Sequence, residues 1–210
     1  MSKYNEEITF KIIIIGNAGV GKTSILNRYI NNTFRLELIP TLGLDFSYKT
    51  VTLKNNKKVK LKLFDTAGQE KFRTFSKSYF RNADCILFVY SIDNEKSFEN
   101  ITDWIQFTNN HISKEDTLLY LIENKKDLER KVDQESINDF LNKNNKFKFK
   151  STSPALKYDN SINDLFQEIS EILYLKNNNT GSTNKIQNNF QLNQRRKNKE
   201  NCFMCQSIMT

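Results

Sequence analysis

The sequence predicts an α/β fold: a mostly parallel six-stranded sheet with one antiparallel strand, held in three layers between helices. Three observations predict it. Apolar, β-branched runs alternate with stretches of helical spacing about ten residues or longer, the pattern of right-handed crossovers between parallel strands covered on both faces. One pair of strand-like runs is instead joined by Asn55-Asn56, a hairpin turn signal, and supplies the antiparallel strand. Finally, three of the six glycines fall within GNAGVGKT, directly after the first apolar run, at the edge where such sheets bind ligands.

In chain order, ITFKIIIIG (residues 8–16) reads as a strand, and Lys22–Ile30 has the spacing of an amphipathic helix. Leu42–Leu53 and Lys58–Asp65 flank the hairpin turn. Cys85–Tyr90 is an unbroken apolar run, as a strand buried on both faces should be. A helix is predicted over Lys96–His111, a strand over Thr117–Ile122 and a helix over Asp133–Leu141. A short strand over Phe147–Lys150 and a helix over Ile162–Leu175 complete the domain, residues 1–175. Residues 176–210 carry six basic residues (Lys176, Lys185, Arg195, Arg196, Lys197, Lys199) against Glu200, so the tail holds +5 of the chain's +8 net charge. Nine asparagines and few large apolar residues leave it too little to bury to offset its chain entropy, and a disordered tail is expected.

A chain of 210 residues suits one globular domain with a remainder. Three cysteines (Cys85, Cys202, Cys205) make no disulfide framework, which fits a reducing compartment. The start, MSKYNEEITF, has no apolar h-region, and position 2 is Ser rather than the Gly of an N-myristoylation site. Apolar runs are strand-sized, short of the roughly 20 residues that cross a bilayer. A cytoplasmic, soluble chain is expected.

Gly16-x-x-x-x-Gly21-Lys22-Thr23 matches the phosphate-binding loop of P-loop NTPases, and it has the strand before and helix after that the motif requires. Glycines allow the tight turn that brings backbone N–H groups (Gly16, Asn17, Ala18, Gly19, Val20, Gly21) within reach of phosphate oxygens. The helix N-terminus favours the same anion. Lys22 is placed to reach the β- and γ-phosphates, and the Thr23 hydroxyl to ligate Mg²⁺. In LFDTAGQ, Asp65 at a strand end suits Mg²⁺, Gly68 offers an N–H to the γ-phosphate, and Gln69 suits orienting an attacking water. NKKD (Asn124–Asp127) is weak alone in a chain rich in Asn and Lys. As the third motif, on a strand end, it points to guanine: the Asp127 carboxylate accepts from N1–H and the exocyclic amine, an edge adenine lacks.

From about Thr9 to Leu175 the sequence resembles the Ras superfamily of small GTPases, and within it the Rab family. LGLDF (Leu42–Phe46) looks like the Rab effector-region signature, and EKFRTF, SYFRNAD and NEKSFENITDW resemble further Rab segments. The resemblance implies a small G domain that binds GTP or GDP with Mg²⁺ and hydrolyses GTP slowly, switching effector binding in vesicle traffic. It implies that Thr41, in switch I, ligates Mg²⁺ beside Thr23 and Asp65. It implies that Phe34 packs on guanine, that the Lys125 stem lies along the base, and that Gln69 is catalytic. Effectors would read switch I, switch II and apolar surface nearby, for which Phe46, Phe64 and Phe80 are candidates with core packing as the alternative. An exchange factor and a GTPase-activating protein would complete the cycle of a monomer on the cytosolic face of an endomembrane.

Some positions depart from the Rab pattern. Phe64 stands where most Rabs have Trp, and Glu123 where a glycine usually precedes the NKxD motif, raising the expectation of a perturbed base loop screened by Lys125 and Lys126. The base-closing loop aligns with Ala155-Leu156-Lys157, or in shifted alignments uses Ser151 or Ser153. Ala18 lies where side chains affect hydrolysis. The terminus NCFMCQSIMT fits neither paired cysteines nor a CaaX box, so Cys202 and Cys205 are candidates for lipidation, with reduced thiols as the alternative. The basic run Arg195–Lys199 suits an anionic membrane surface as a second signal. With no basic aromatic platform, nucleic acid is not an expected partner. Two rival readings stay open: a guanine-nucleotide-bound interaction protein that does not cycle, suggested by Glu123, Ala155 and Leu156, and a P-loop kinase, against which DTAGQ argues.

Overall fold

The computed structural model describes residues 7–35, 44–66, 80–109, 112, 114 and 116–179. It divides into two units, Met1–Glu171 and Ile172–Thr210; of the second, the described residues 172–179 are helical.

The first unit carries six strands: β1 (Thr9–Ile15), β2 (Leu44–Thr52), β3 (Lys58–Thr66), β4 (Cys85–Ser91), β5 (Leu118–Asn124) and β6 (Phe147–Ser151). They form one sheet in the order β2-β3-β1-β4-β5-β6. Every pairing is parallel except β2 with β3, which are antiparallel and meet at the Asn55-Asn56 turn. There Asn56 takes φ 62° and donates its N–H to the Leu53 carbonyl at 2.9 Å, a left-handed conformation that Asn tolerates. The predicted three-layer α/β architecture is therefore the observed one.

The helices are α1 (Lys22–Asn31), α2 (Glu95–Glu99), α3 (Ile101–Asn109), α4 (Gln134–Lys143) and α5 over residues 161–179. Alternation along β1 sends Ile13 and Ile15 into a cluster with Phe88, Tyr90 and Leu121, against which Trp104 and Ile105 of α3 and Phe140 of α4 pack. Ile12 and Ile14 point to the other face. On α1, Tyr29 stacks on Phe166 of α5 with ring centroids 4.0 Å apart.

Three boundaries differ from expectation for local reasons. The helix predicted over Lys96–His111 is two, because Asn100 at ψ −8° tightens the chain between α2 and α3, as a poor helix former readily does. Leu42, Gly43 and His111 lie outside the described residues. Strand β5 runs on to Asn124, so the NKKD motif begins inside the sheet. Helix α5 runs to residue 179, past the expected boundary at 175, so residues 176–179 belong to a helix rather than to a disordered tail.

Candidate functional site

The carboxyl ends of the parallel strands bring the motifs to one edge of the sheet. From β1 the chain turns through Gly16 (φ 145°) and Gly19 (φ 75°) to Gly21 (φ 95°), which caps α1. A Cβ at Gly16 would stand 2.1 Å from the Val89 carbonyl oxygen, so the loop presses on β4 as only glycine permits. While α2 and α4 are capped by the side chains of Asn94 and Asp133, α1 has no side-chain cap and no acid in its first turn. Its leading N–H groups and the positive end of its dipole thus face the loop. Trp104 of α3 steadies this loop by donating its indole N–H to the Asn17 side-chain oxygen at 2.8 Å.

Lys22 lies under the loop, 5 % exposed, and its ammonium donates to the carbonyls of Gly16 (3.0 Å) and Asn17 (2.9 Å). Burial lowers its pKa to about 8, against which the Asp65 carboxylate acts. The Thr23 hydroxyl donates to Asp65 Oδ2 at 2.7 Å, across from α1 to the end of β3. Two hard oxygen donors thus stand side by side, the ligand chemistry that Mg²⁺ takes, so these residues fit the metal.

At the end of β5, Asn124 is fully buried and bridges two loops. Its amide donates to the Val20 carbonyl at 2.8 Å, and its oxygen accepts from the Thr152 hydroxyl at 2.9 Å. A Cβ on Gly21 would meet the Asn124 amide nitrogen at 2.4 Å, so the phosphate loop and the NKKD segment are packed as one body. Lys125 follows at φ 62°, and its ammonium lies 4.0 Å from Asp93. Asp127 is exposed and accepts a hydrogen bond from the Ser153 hydroxyl.

The loop after β6 meets the NKKD segment through Thr152 and Ser153, both fully buried, while Leu156 and Lys157 are exposed and Ala155 is half-buried. Of the alignments left open, the geometry favours the one through Ser153. The usable signal was position: Thr152 and Ser153 directly follow a strand end that is parallel and adjacent to β5.

Glu123 corrects another expectation. It does not disturb the base loop as an uncompensated charge, nor do Lys125 and Lys126 screen it. It is 2 % exposed and accepts from the Arg130 guanidinium, the Tyr90 hydroxyl and the Ser151 hydroxyl. Arg130 was not singled out in the sequence because it belongs to no motif, and Trp104, although it ends the NEKSFENITDW segment, was given no role there.

Phe34 is half-buried just beyond α1. Among the effector candidates, Phe46 is 51 % exposed, whereas Phe64 and Phe80 are buried, so core packing accounts for those two. Thr41, Gly68, Gln69, Cys202 and Cys205 lie outside the described residues.

A glycine loop opening a helix, a buried lysine beneath it and a hydroxyl–carboxylate pair beside it define a P-loop nucleoside-triphosphate-binding protein. Comparison narrows the class. A family model described as "Ras family" matches residues 11–174. The chain is 40 % identical over 166 residues to Ras-related protein SEC4 of Saccharomyces cerevisiae, covering 79 % of this chain and 75 % of that one. It is 37 % identical over 177 residues to Ras-related protein Rab-10 of Caenorhabditis elegans (84 % and 86 % covered), and 34 % identical over 195 residues to Ras-related protein RabC of Dictyostelium discoideum (91 % and 97 %). The chain belongs to the Ras family and is a Rab-like small GTPase, a GTP-hydrolysing switch of the class that regulates vesicle traffic. Such proteins generally use Mg²⁺ with the bound nucleotide, and their partners are effectors, exchange factors and GTPase-activating proteins. No described helix is long and apolar enough to cross a membrane. The non-cycling reading loses its support from Glu123, which is paired, and is not favoured.

Proposed function

We propose that GTP or GDP lies along the carboxyl edge of the sheet, its phosphates in the Gly16–Thr23 loop and its guanine against Asn124, Lys125 and Asp127. The observation that carries this reading is the Asn124 bridge, which joins the phosphate loop at Val20 to the base loop at Thr152. In this arrangement the loop N–H groups and the Lys22 ammonium bind the β- and γ-phosphates. Thr23, Asp65 and Thr41 hold Mg²⁺, which when bound neutralises charge between those phosphates. The Gly68 N–H receives the γ-phosphate, and Gln69 orients the attacking water by accepting its proton-side hydrogen bond. Asp127 accepts from guanine N1–H and the exocyclic amine, with Ser153 fixing the carboxylate from behind. Phe34 covers the ring, and Ser153 supplies the contact first assigned to Ala155, Leu156 and Lys157.

On hydrolysis the loops around Thr41 and Gly68 lose their hold on the γ-phosphate, and effectors that read them together with the exposed Phe46 are released. Residues 1–175 act as the switch domain, and the basic tail carries the chain to an anionic, cytosolic membrane face, with Cys202 and Cys205 as the lipid-bearing positions. Two measurements test this. GDP with Mg²⁺ should bind far more tightly than ADP, and equal affinities would refute the base site. Single-turnover GTP hydrolysis should fall at least about tenfold in Gln69→Leu; equal rates would remove Gln69 from the mechanism.

A further inference from the structure

The segment that carries Asn124, Lys125 and Asp127 is closed at its ends by an ion pair. Glu123 stands immediately before Asn124, and Arg130 returns to it through two parallel bonds, Nη1 to Oε2 at 2.8 Å and Nη2 to Oε1 at 3.0 Å. The same carboxylate accepts from the Tyr90 hydroxyl of β4 at 2.8 Å and the Ser151 hydroxyl of β6 at 2.9 Å. Both strands flank β5, so the carboxylate is fixed from either side and the arginine is fixed by the carboxylate.

A buried carboxylate paired with a guanidinium that is still 37 % exposed is a poor device for stability alone, because desolvating Glu123 offsets much of what the partly screened attraction returns. It is a good device for position, since the planar guanidinium accepts one geometry where a lysine accepts many. The segment it closes needs positioning. Lys125 is held at φ 62°, which a long side chain avoids in a loose chain, and the Lys126 N–H reaches the Thr152 carbonyl only at 3.2 Å.

We propose that Glu123 and Arg130 are positioning residues that staple the base-reading segment and set how strictly this chain selects guanine. The proposal rests on the reading of Asp127 as the guanine acceptor. Closing the loop before the nucleotide arrives reduces the ordering needed on binding. Holding Asp127 in register lets it reward both guanine donors, including the exocyclic amine that hypoxanthine lacks.

The test compares dissociation of GDP and inosine diphosphate from the full chain and from the double variant Glu123→Gln/Arg130→Met, which removes both charges and leaves no buried ion unpaired. The parent should prefer GDP to ADP and release inosine diphosphate faster than GDP. The double variant, folded by circular dichroism, should release GDP about tenfold faster, and its discrimination between the two should fall about threefold or more. A general loss of stability would speed both releases alike, so an unchanged ratio overturns the proposal. If the double variant does not fold, Arg130→Lys, which keeps the charge and loses the fork, is read by the same ratio, and parental discrimination there overturns it equally. A parent that does not prefer GDP to ADP overturns the reading of Asp127, and the staple with it.

Discussion

A lysine ammonium held at 5 % exposure between two carbonyls loses more to desolvation than the nearby Asp65 carboxylate returns. Lys22 is charged at neutral pH only against its surroundings, since its pKa is near 8 in the fold and 10.5 ordinarily. Between those values the unfolded chain keeps a proton that the nucleotide-free fold has released. Stability of the nucleotide-free protein should therefore rise with pH from about 8 towards 10.5, by up to about 3 kcal/mol from this residue. Lys22→Met should remove that rise, stabilise the nucleotide-free protein at pH 7 by about 1–3 kcal/mol, and abolish GDP binding. Denaturant unfolding of both proteins between pH 7 and 9.5 checks it, and parallel slopes would show that Lys22 is not the group responsible.

At the scale of elements, β5 and β6 present the residues proposed to read the base, and their loops have a buried and an exposed part. Ser153→Ala leaves Asp127 without its hydroxyl donor and should speed GDP release severalfold, for the loss of one hydrogen bond worth about 0.5–1.5 kcal/mol at an exposed carboxylate. Leu156→Ala, in the exposed part, should change release by less than about twofold. Stopped-flow displacement of a fluorescent GDP compares them; a larger effect from Leu156 would return the role to Ala155-Leu156-Lys157. The central strands were legible because parallel strands buried on both faces are written as unbroken apolar runs, whereas their order in the sheet was not written in any one stretch. The phosphate loop was legible because its glycines are demanded by backbone approach, as at Gly16 against Val89. Ser153 was less so, because Pro154 and Ala155 offer a second register that only contact with Asp127 separates. Glu123 misled because a buried carboxylate is judged by its partners, and Tyr90, Arg130 and Ser151 come from separate stretches of sequence.

At the scale of the whole molecule, the site ties together strands whose own contacts are distant in sequence. Thr23 of α1 meets Asp65 of β3, and Asn124 joins the loop before α1 to the loop after β6. A nucleotide spanning these points binds only the folded arrangement, so binding and folding are linked. At a GDP concentration about a hundredfold above Kd with Mg²⁺, the domain should gain about 2.7 kcal/mol, or roughly 5–10 °C in Tm. Chelating Mg²⁺ should withdraw part of that gain, because the phosphates then face Asp65 without the cation between them. Asp65→Asn should make the remaining gain insensitive to chelation. A Tm that rises with GDP equally with and without Mg²⁺ in the parent chain would mean that Thr23 and Asp65, although side by side, are held together for the fold rather than for the metal.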